Sequence, residues 1–214
     1  IARSCGFIVP TLRRGNAFGD APASGVKKLK IATLKGCSTK YHFVVLQDER
    51  RRVFTEDEDI FSFDNCEVLR IVVGPLDVNC YVVWDKETLS AFIVDPGGDA
   101  SIVADEVKRR GLNIKYVINT HGHFDHIGAN AEIKTITGAA TAIHGLDAPL
   151  LQTASVQSSF FGLNVDAQPE PDVALEDGEI LNAGAIEISI IHTPGHTRGG
   201  ISIYLEDDGV LFTG

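Results

Sequence analysis

The sequence predicts an α+β domain over residues 66–214. Three features carry that expectation. Short apolar runs separated by turn residues form a meander at the start. Helix-period segments then alternate with strand-like runs. Two strands end directly in histidine-bearing loops, His121-Gly122-His123-Phe124-Asp125-His126 and His192-Thr193-Pro194-Gly195-His196-Thr197. Loops at strand ends are common places for chemistry.

Taken in order, Val68 to Val73, Cys80 to Trp84 and Ser90 to Val94 read as consecutive antiparallel strands, with a turn at Asp85-Lys86-Glu87-Thr88. The loop Asp95-Pro96-Gly97-Gly98-Asp99 leads to a helix from about Ala100 to Arg110. Asp99 or Ser101 can cap it, Ile102, Val103 and Val107 fall at helical spacing, and Gly111 stands where a helix stops. Ile114 to Ile118 is the strand into the first histidine loop, and Ile127 to Thr137 is a helix after it. Ala140 to Ile143 is a strand and Ala148 to Thr153 a short helix. Residues 154–172 read as a polar loop with Phe160-Phe161 at its middle. A loop of that length usually has a function; its two rings either close over a ligand or dock the loop. Asp177-Gly178 marks a turn. Ala185 to Ile191, Ile201 to Leu205 and Val210 to Thr213 are the closing strands, the last two joined by the hairpin signal Asp207-Asp208-Gly209.

Residues 1–65 are expected to be a basic N-terminal extension, irregular or disordered over 1–26. Residues 1–55 hold 11 Lys and Arg against 3 Asp and Glu, a net of +8, whereas the rest holds 8 against 26, a net of −18. Such asymmetry marks segments with different histories. Lys30 to Leu34 and Tyr41 to Leu46 read as short strands, and Glu56-Asp57-Glu58-Asp59 as a linker. The basic run Arg50-Arg51-Arg52 reads as part of a solvated extension, with contact to nucleic acid or to an acidic partner as the alternative; nucleic acid is not the expected partner.

No apolar run approaches the roughly 18 residues of a membrane span, and no secretory signal opens the chain. The cysteines Cys5, Cys37, Cys66 and Cys80 form no CxxC pair. Reduced thiols in a cytoplasmic protein are therefore expected. The chain has no methionine, so Ile1 is not the expected native start, and Val210 to Gly214 reads as a strand running off the end. Both ends are expected to be cut.

Four of the six side chains in the 121–126 run can ligate a metal. Zinc takes about four N or O ligands at roughly 2.0–2.2 Å, and a catalytic zinc keeps one position for water. Four ligands from six adjacent residues crowd a single ion, so two metals sharing them is the more natural geometry.

These loops, with the stretches GPLDVNCYVV (74–83), IVDPGG (93–98), THGHFDHIG (120–128), HTPGHTRGG (192–200) and LFTG (211–214), resemble the metallo-β-lactamase superfamily over roughly residues 67–214. The resemblance implies a four-layer αββα sandwich, here incomplete at the C-terminus, with residues 66–214 as a truncated hydrolase domain. It implies that His121, His123 and His196 hold a first metal and that Asp125 and His126 hold a second. Two further ligands of the family, an aspartate directly after Thr213-Gly214 and a later histidine, fall beyond the sequence, so the second metal is expected to bind poorly. The cofactors implied are two divalent ions, zinc first, with iron or manganese as alternatives. An aspartate followed directly by histidine, and the GPLDVNCYVV stretch, resemble the glyoxalase II type, which cleaves hydroxyacyl-glutathione thioesters through a metal-bound hydroxide. Gly122 stands where many glyoxalases II carry another histidine.

In this expectation Asp125 also acts catalytically, orienting the nucleophile or accepting its proton. His192 either fixes the loop or is a packed strand-end residue, and His144 either lines the site or is structural. Three rivals stand beside the thioesterase: a lactam, lactone or phosphodiester hydrolase, a diiron redox module, and a partner-binding protein that has lost the chemistry.

Overall fold

A computed structural model describes residues 43–45, 53–54 and 60–214. The expectations for 1–26, Lys30 to Leu34, Arg50-Arg51-Arg52, the acidic run at 56–59, Cys5 and Cys37 lie outside the described residues.

Two sheets stack face to face. The eight-stranded sheet runs β2 (Val53–Phe54), β3 (Ile60–Ser62), β4 (Cys66–Val73), β5 (Val78–Asp85), β6 (Ser90–Val94), β7 (Asn113–Ile118), β8 (Ala140–His144) and β9 (Val173–Leu175). The five-stranded sheet has the order β1 (Phe43–Val45), β13 (Val210–Thr213), β12 (Ile201–Leu205), β11 (Ile186–His192) and β10 (Ile180–Ala183). Strands β4 to β6 form the expected antiparallel meander, and β6 to β9 run parallel. Parallel neighbours need long crossovers. These are supplied by α1 (Ala100–Arg110), by α2 (Phe124–Ile127) with α3 (Asn130–Thr137), and by α4 (Ala148–Gln152) with α5 (Ala154–Ser159).

Side-chain alternation sorts the core. Val68, Tyr81, Val83, Phe92 and Val94 meet Ile188, Ile190, Ile203 and Phe212 between the sheets. Leu69, Val82, Trp84, Ala91 and Ile93 point the other way, onto Val103, Val107 and Ile133 of the helices. Strand β5 is buried along its whole length because it is covered on both faces. The α+β sandwich is thus present. Among the described residues helices cover the eight-stranded sheet only, which gives three of the four expected layers.

Several details differ from the sequence reading, each for a local reason. The sheets take strands from both sides of the expected division at residue 65, since β3 pairs with β4 and β1 with β13. Helix 127–137 is split, because the Ala129 N–H donates to the Pro96 carbonyl instead of continuing the helical ladder. A Cβ on Gly97 would overlap the Asp125 carbonyl, so only glycine lets this loop wedge against α2. Asp99 precedes α1 but does not cap it; its carboxylate accepts the Gly74 N–H at 2.8 Å. Gly111 ends α1 in the left-handed conformation, as its position suggests. The polar loop begins as a helix, α5, seated by buried Ala154 and by Ser158, whose Oγ accepts the Val165 N–H.

At the end of the sandwich opposite the histidines, Asp85 joins the two sheets. Its buried carboxylate accepts N–H bonds from Glu87, Thr88 and Ala185, the last at 2.7 Å from the other sheet, and the Thr88 hydroxyl. Burial raises the Asp85 pKa, but these donors outweigh it and hold the carboxyl below its ordinary value. Its contribution to stability is therefore present above about pH 4, the unfolded value, and is lost as acid titrates the folded carboxylate. Asp85→Asn is expected to cost about 1–3 kcal/mol, read as a lower urea midpoint at pH 7 whose gap to wild type narrows as the pH falls below the unfolded value.

Candidate metal centre

Strand β7 delivers Asn119, Thr120 and His121 to one edge of the sandwich. Asn119 is buried; it donates its backbone N–H to the Ala142 carbonyl and its side-chain amide to the His126 carbonyl at 3.0 Å. This folds the 121–126 run back on itself. Strand β11 delivers the second loop, closed by Thr193 N–H to the Gly200 carbonyl at 2.8 Å. The loops meet directly, since Ile201 N–H donates to the Thr120 carbonyl at 2.8 Å.

Four imidazoles converge there. The His121 ring centre lies 4.8 Å from His123, 4.9 Å from His196 and 4.0 Å from His126, and His123 lies 4.6 Å from His196. One ligand atom from each of His121, His123 and His196 falls within 4.8 Å of the others, and Asp95, His121 and His126 form a second such group. Asp125 joins neither group; its Oδ2 stands 3.8 Å from His126 Nε2, at the rim.

The donors fit a cation. The Thr120 hydroxyl donates to Asp95 Oδ2 at 2.6 Å, so its oxygen can accept the Nδ1–H of His121 at 3.0 Å. That leaves a lone pair on His121 Nε2, which is buried without a hydrogen-bond partner. A buried unpaired acceptor is costly unless something fills the space it faces. Imidazole nitrogens suit zinc or iron. Burial, followed by the neighbouring His126, pushes the His121 pKa down to about 3, and burial with His196 lowers that of His123. Both rings are thus neutral, the form that binds metal. Burial also pulls on His126, but the Asp95 carboxylate overrides it and raises its pKa.

Asp95 was not foreseen as a site residue. Both of its oxygens are occupied, Oδ1 by the Thr120 N–H at 2.8 Å and Oδ2 by the Thr120 hydroxyl and by His126 Nδ1 at 2.9 Å. It is therefore a prop that fixes the tautomer of His126 and turns Nε2 toward the cluster. Its presence in the IVDPGG stretch was the available signal.

The other candidates fall outside the cluster. His144 and His192 stack on each other at 4.2 Å with their planes 9° apart. His144 Nδ1 accepts the Leu146 N–H, and His192 Nε2 donates to the Arg198 carbonyl at 2.9 Å, which holds the second loop. Phe161 lies 5.3 Å from Phe124 yet is 64% exposed, and Phe160 is 82% exposed, so both rings face largely outward and only Phe161 touches α2. Gln157 of α5 accepts the Phe124 N–H at 3.1 Å and so braces the first loop.

A family model described as the metallo-β-lactamase superfamily matches residues 73–214. The chain belongs to that superfamily. It is 36% identical over 146 residues to hydroxyacylglutathione hydrolase GloC of Haemophilus influenzae, covering 67% of this chain and 68% of the relative. It is 34% identical to the probable metallo-hydrolase YqgX of Bacillus subtilis, covering 68% of each. Among solved structures it resembles the B3 metallo-β-lactamase BLEG-1, with TM-score 0.63, 31% identity and 68% and 70% coverage of the two chains. It also resembles TTHA1623 in a di-iron-bound form, with TM-score 0.59, 30% identity and coverage of 65% and 68%. This superfamily hydrolase thus has a place for divalent metal.

Asp95→Asn would set an amide N–H against either His126 Nδ1–H or the Thr120 N–H, and so loosen the hold on the His126 tautomer. It is expected to weaken divalent metal binding about 10- to 100-fold, measured by competition with a chromogenic chelator.

Proposed function

We propose that the chain hydrolyses thioesters of the hydroxyacyl-glutathione type at a site for two divalent cations, with zinc the expected metal. The observation that carries the reading is the doubled ligand set. His121, His123 and His196 form one group; His126, propped by Asp95 and flanked by Asp125, extends the cluster to a second position. The choice of a thioester rests on relatives named hydroxyacylglutathione hydrolase in Haemophilus influenzae and in Pelagibacter ubique, the latter 31% identical over 134 residues.

His121, His123 and His196 would hold one cation, and His126 with Asp125 the other. Cations there supply Lewis acidity, which polarises a carbonyl and lowers the pKa of water from about 15.7 toward 7. The chain's own residues do the rest. Asp95 and Thr120 hold protons on the outward nitrogens of His126 and His121, so the inward nitrogens keep their lone pairs. Asp125, partly exposed at the rim, can take up the proton that leaves the attacking water. Phe161, against Phe124 of α2, forms an apolar shoulder on which the acyl part of a substrate can rest. Cys66 and Cys80 are free and buried, which suits the reducing cytoplasm. Among the described residues no helix is long and apolar enough to cross a membrane.

A second reading, hydrolysis of a β-lactam, draws on the likeness to BLEG-1. The likeness to a di-iron form favours iron as the alternative metal. Lactoylglutathione, nitrocefin and bis-p-nitrophenyl phosphate separate the substrate classes. The thioester is expected to be turned over fastest, and His121→Ala or Asp125→Ala to lower that rate by about 100-fold or more. Faster nitrocefin cleavage would favour the lactam, and unchanged rates in both variants would reject the site.

A further inference from the structure

A second buried carboxylate, Asp147, stands behind the cluster, and nothing in the hydrolytic reading uses it. It is 1% exposed and lies just before α4. A residue at that place ordinarily caps the helix, yet the Asp147 side chain makes no capping bond. It reaches away from α4 to the two histidine loops. Oδ2 accepts the N–H of Gly122 at 3.1 Å, and Oδ1 accepts the N–H of Gly199 at 2.6 Å. Gly122 lies between His121 and His123, and Gly199 lies three residues after His196. A single carboxylate therefore binds both ligand-bearing loops, one from each sheet.

The glycines are the other half of the arrangement. A Cβ on Gly122 would stand 2.7 Å from Leu150 Cβ and 2.9 Å from the Asp147 carbonyl. A Cβ on Gly199 would stand 2.7 Å from the Asp147 backbone nitrogen and 2.8 Å from Oδ1. Both loops thus approach Asp147 as closely as only glycine allows. The close fit also accounts for Gly122 in place of a third histidine: a larger side chain would be driven into α4. Asp147 is itself seated by its backbone N–H on the His144 carbonyl at 2.9 Å, at the end of the strand whose last ring stacks on His192.

We propose that Asp147 is a positioning residue for the first cation: it sets the separation of the His121/His123 loop from the His196 loop. The Gly199 bond is short, at 2.6 Å, and the Gly122 bond is of ordinary length, at 3.1 Å; together they tie three ligands into one rigid frame. Without them the His196 loop is held to its partner mainly by the Ile201 to Thr120 bond, and the third nitrogen wanders relative to the other two. The inference rests on the metal-binding half of the reading above and is independent of the thioester.

The test uses cobalt(II) as the probe with the full chain. Affinity is measured by chelator competition, coordination by visible absorption, and stability by urea melts of the metal-free protein. Asp147→Asn keeps one acceptor and sets an amide N–H against one of the loop N–H groups. It is expected to weaken the first cobalt about 10- to 100-fold and to shift the absorption away from the wild-type form. Asp85→Asn is the control: it removes a comparably buried carboxylate at the far end of the sheets, and is expected to lower the urea midpoint while leaving cobalt affinity and spectrum unchanged. Unaltered cobalt affinity and spectrum in Asp147→Asn would overturn the proposal, as would equal losses in both variants. A wild-type chain that binds cobalt but leaves lactoylglutathione intact would sink the thioester reading and leave this one standing.

Discussion

The structure depends on one constraint: nitrogen lone pairs that face each other must be held there by carboxylates that face away. Imidazoles packed with ring centres within 5 Å of one another do not gather unaided. Each ring that turns a lone pair inward needs its other nitrogen engaged outside. Asp95 does this directly for His126 and, through the Thr120 hydroxyl, for His121. Asp147 performs the matching task for the backbone, taking one N–H from each loop. The two-sheet core exists, in functional terms, to bring the ends of β7 and β11 close enough for this network to close.

The histidine cluster was legible because a candidate metal site concentrates rare residue types in a short span. Two strand-like runs ending in histidine loops, about seventy residues apart, identify which loops must meet. The meander β4 to β6, helix α1 and strand β12 were legible for a related reason: period and punctuation agree there, and Gly111 stops α1 where a left-handed residue is required. Local propensity and tertiary environment point the same way in these elements.

What was hidden depends on contacts between residues distant in sequence. An aspartate in a loop looks the same whether its carboxylate caps a helix or crosses to another loop. Asp99 turns to Gly74, 25 positions back, and Asp147 turns to Gly199, 52 positions on. The break in the second helix has the same origin, since it is imposed by Pro96 and Gly97 from outside. Segment α5 was obscured because its polar face is the side that shows in composition, while Ala154 and Ser158 anchor it inside. Strand β1 falls within the expected Tyr41 to Leu46 strand; the short strand β3 carries too few residues to display a period, and its partner across the sheet defines it.

The stacked pair His144 and His192 has a spectroscopic consequence. One ring ends a strand of the larger sheet and the other ends a strand of the smaller, and they lie nearly parallel at 4.2 Å. Each imidazole therefore sits in the shielding cone of its neighbour, which displaces its carbon-bound proton resonances upfield. Their chemical shifts act as a built-in gauge of how tightly the two layers are clamped at this edge, legible without any label or bound ligand.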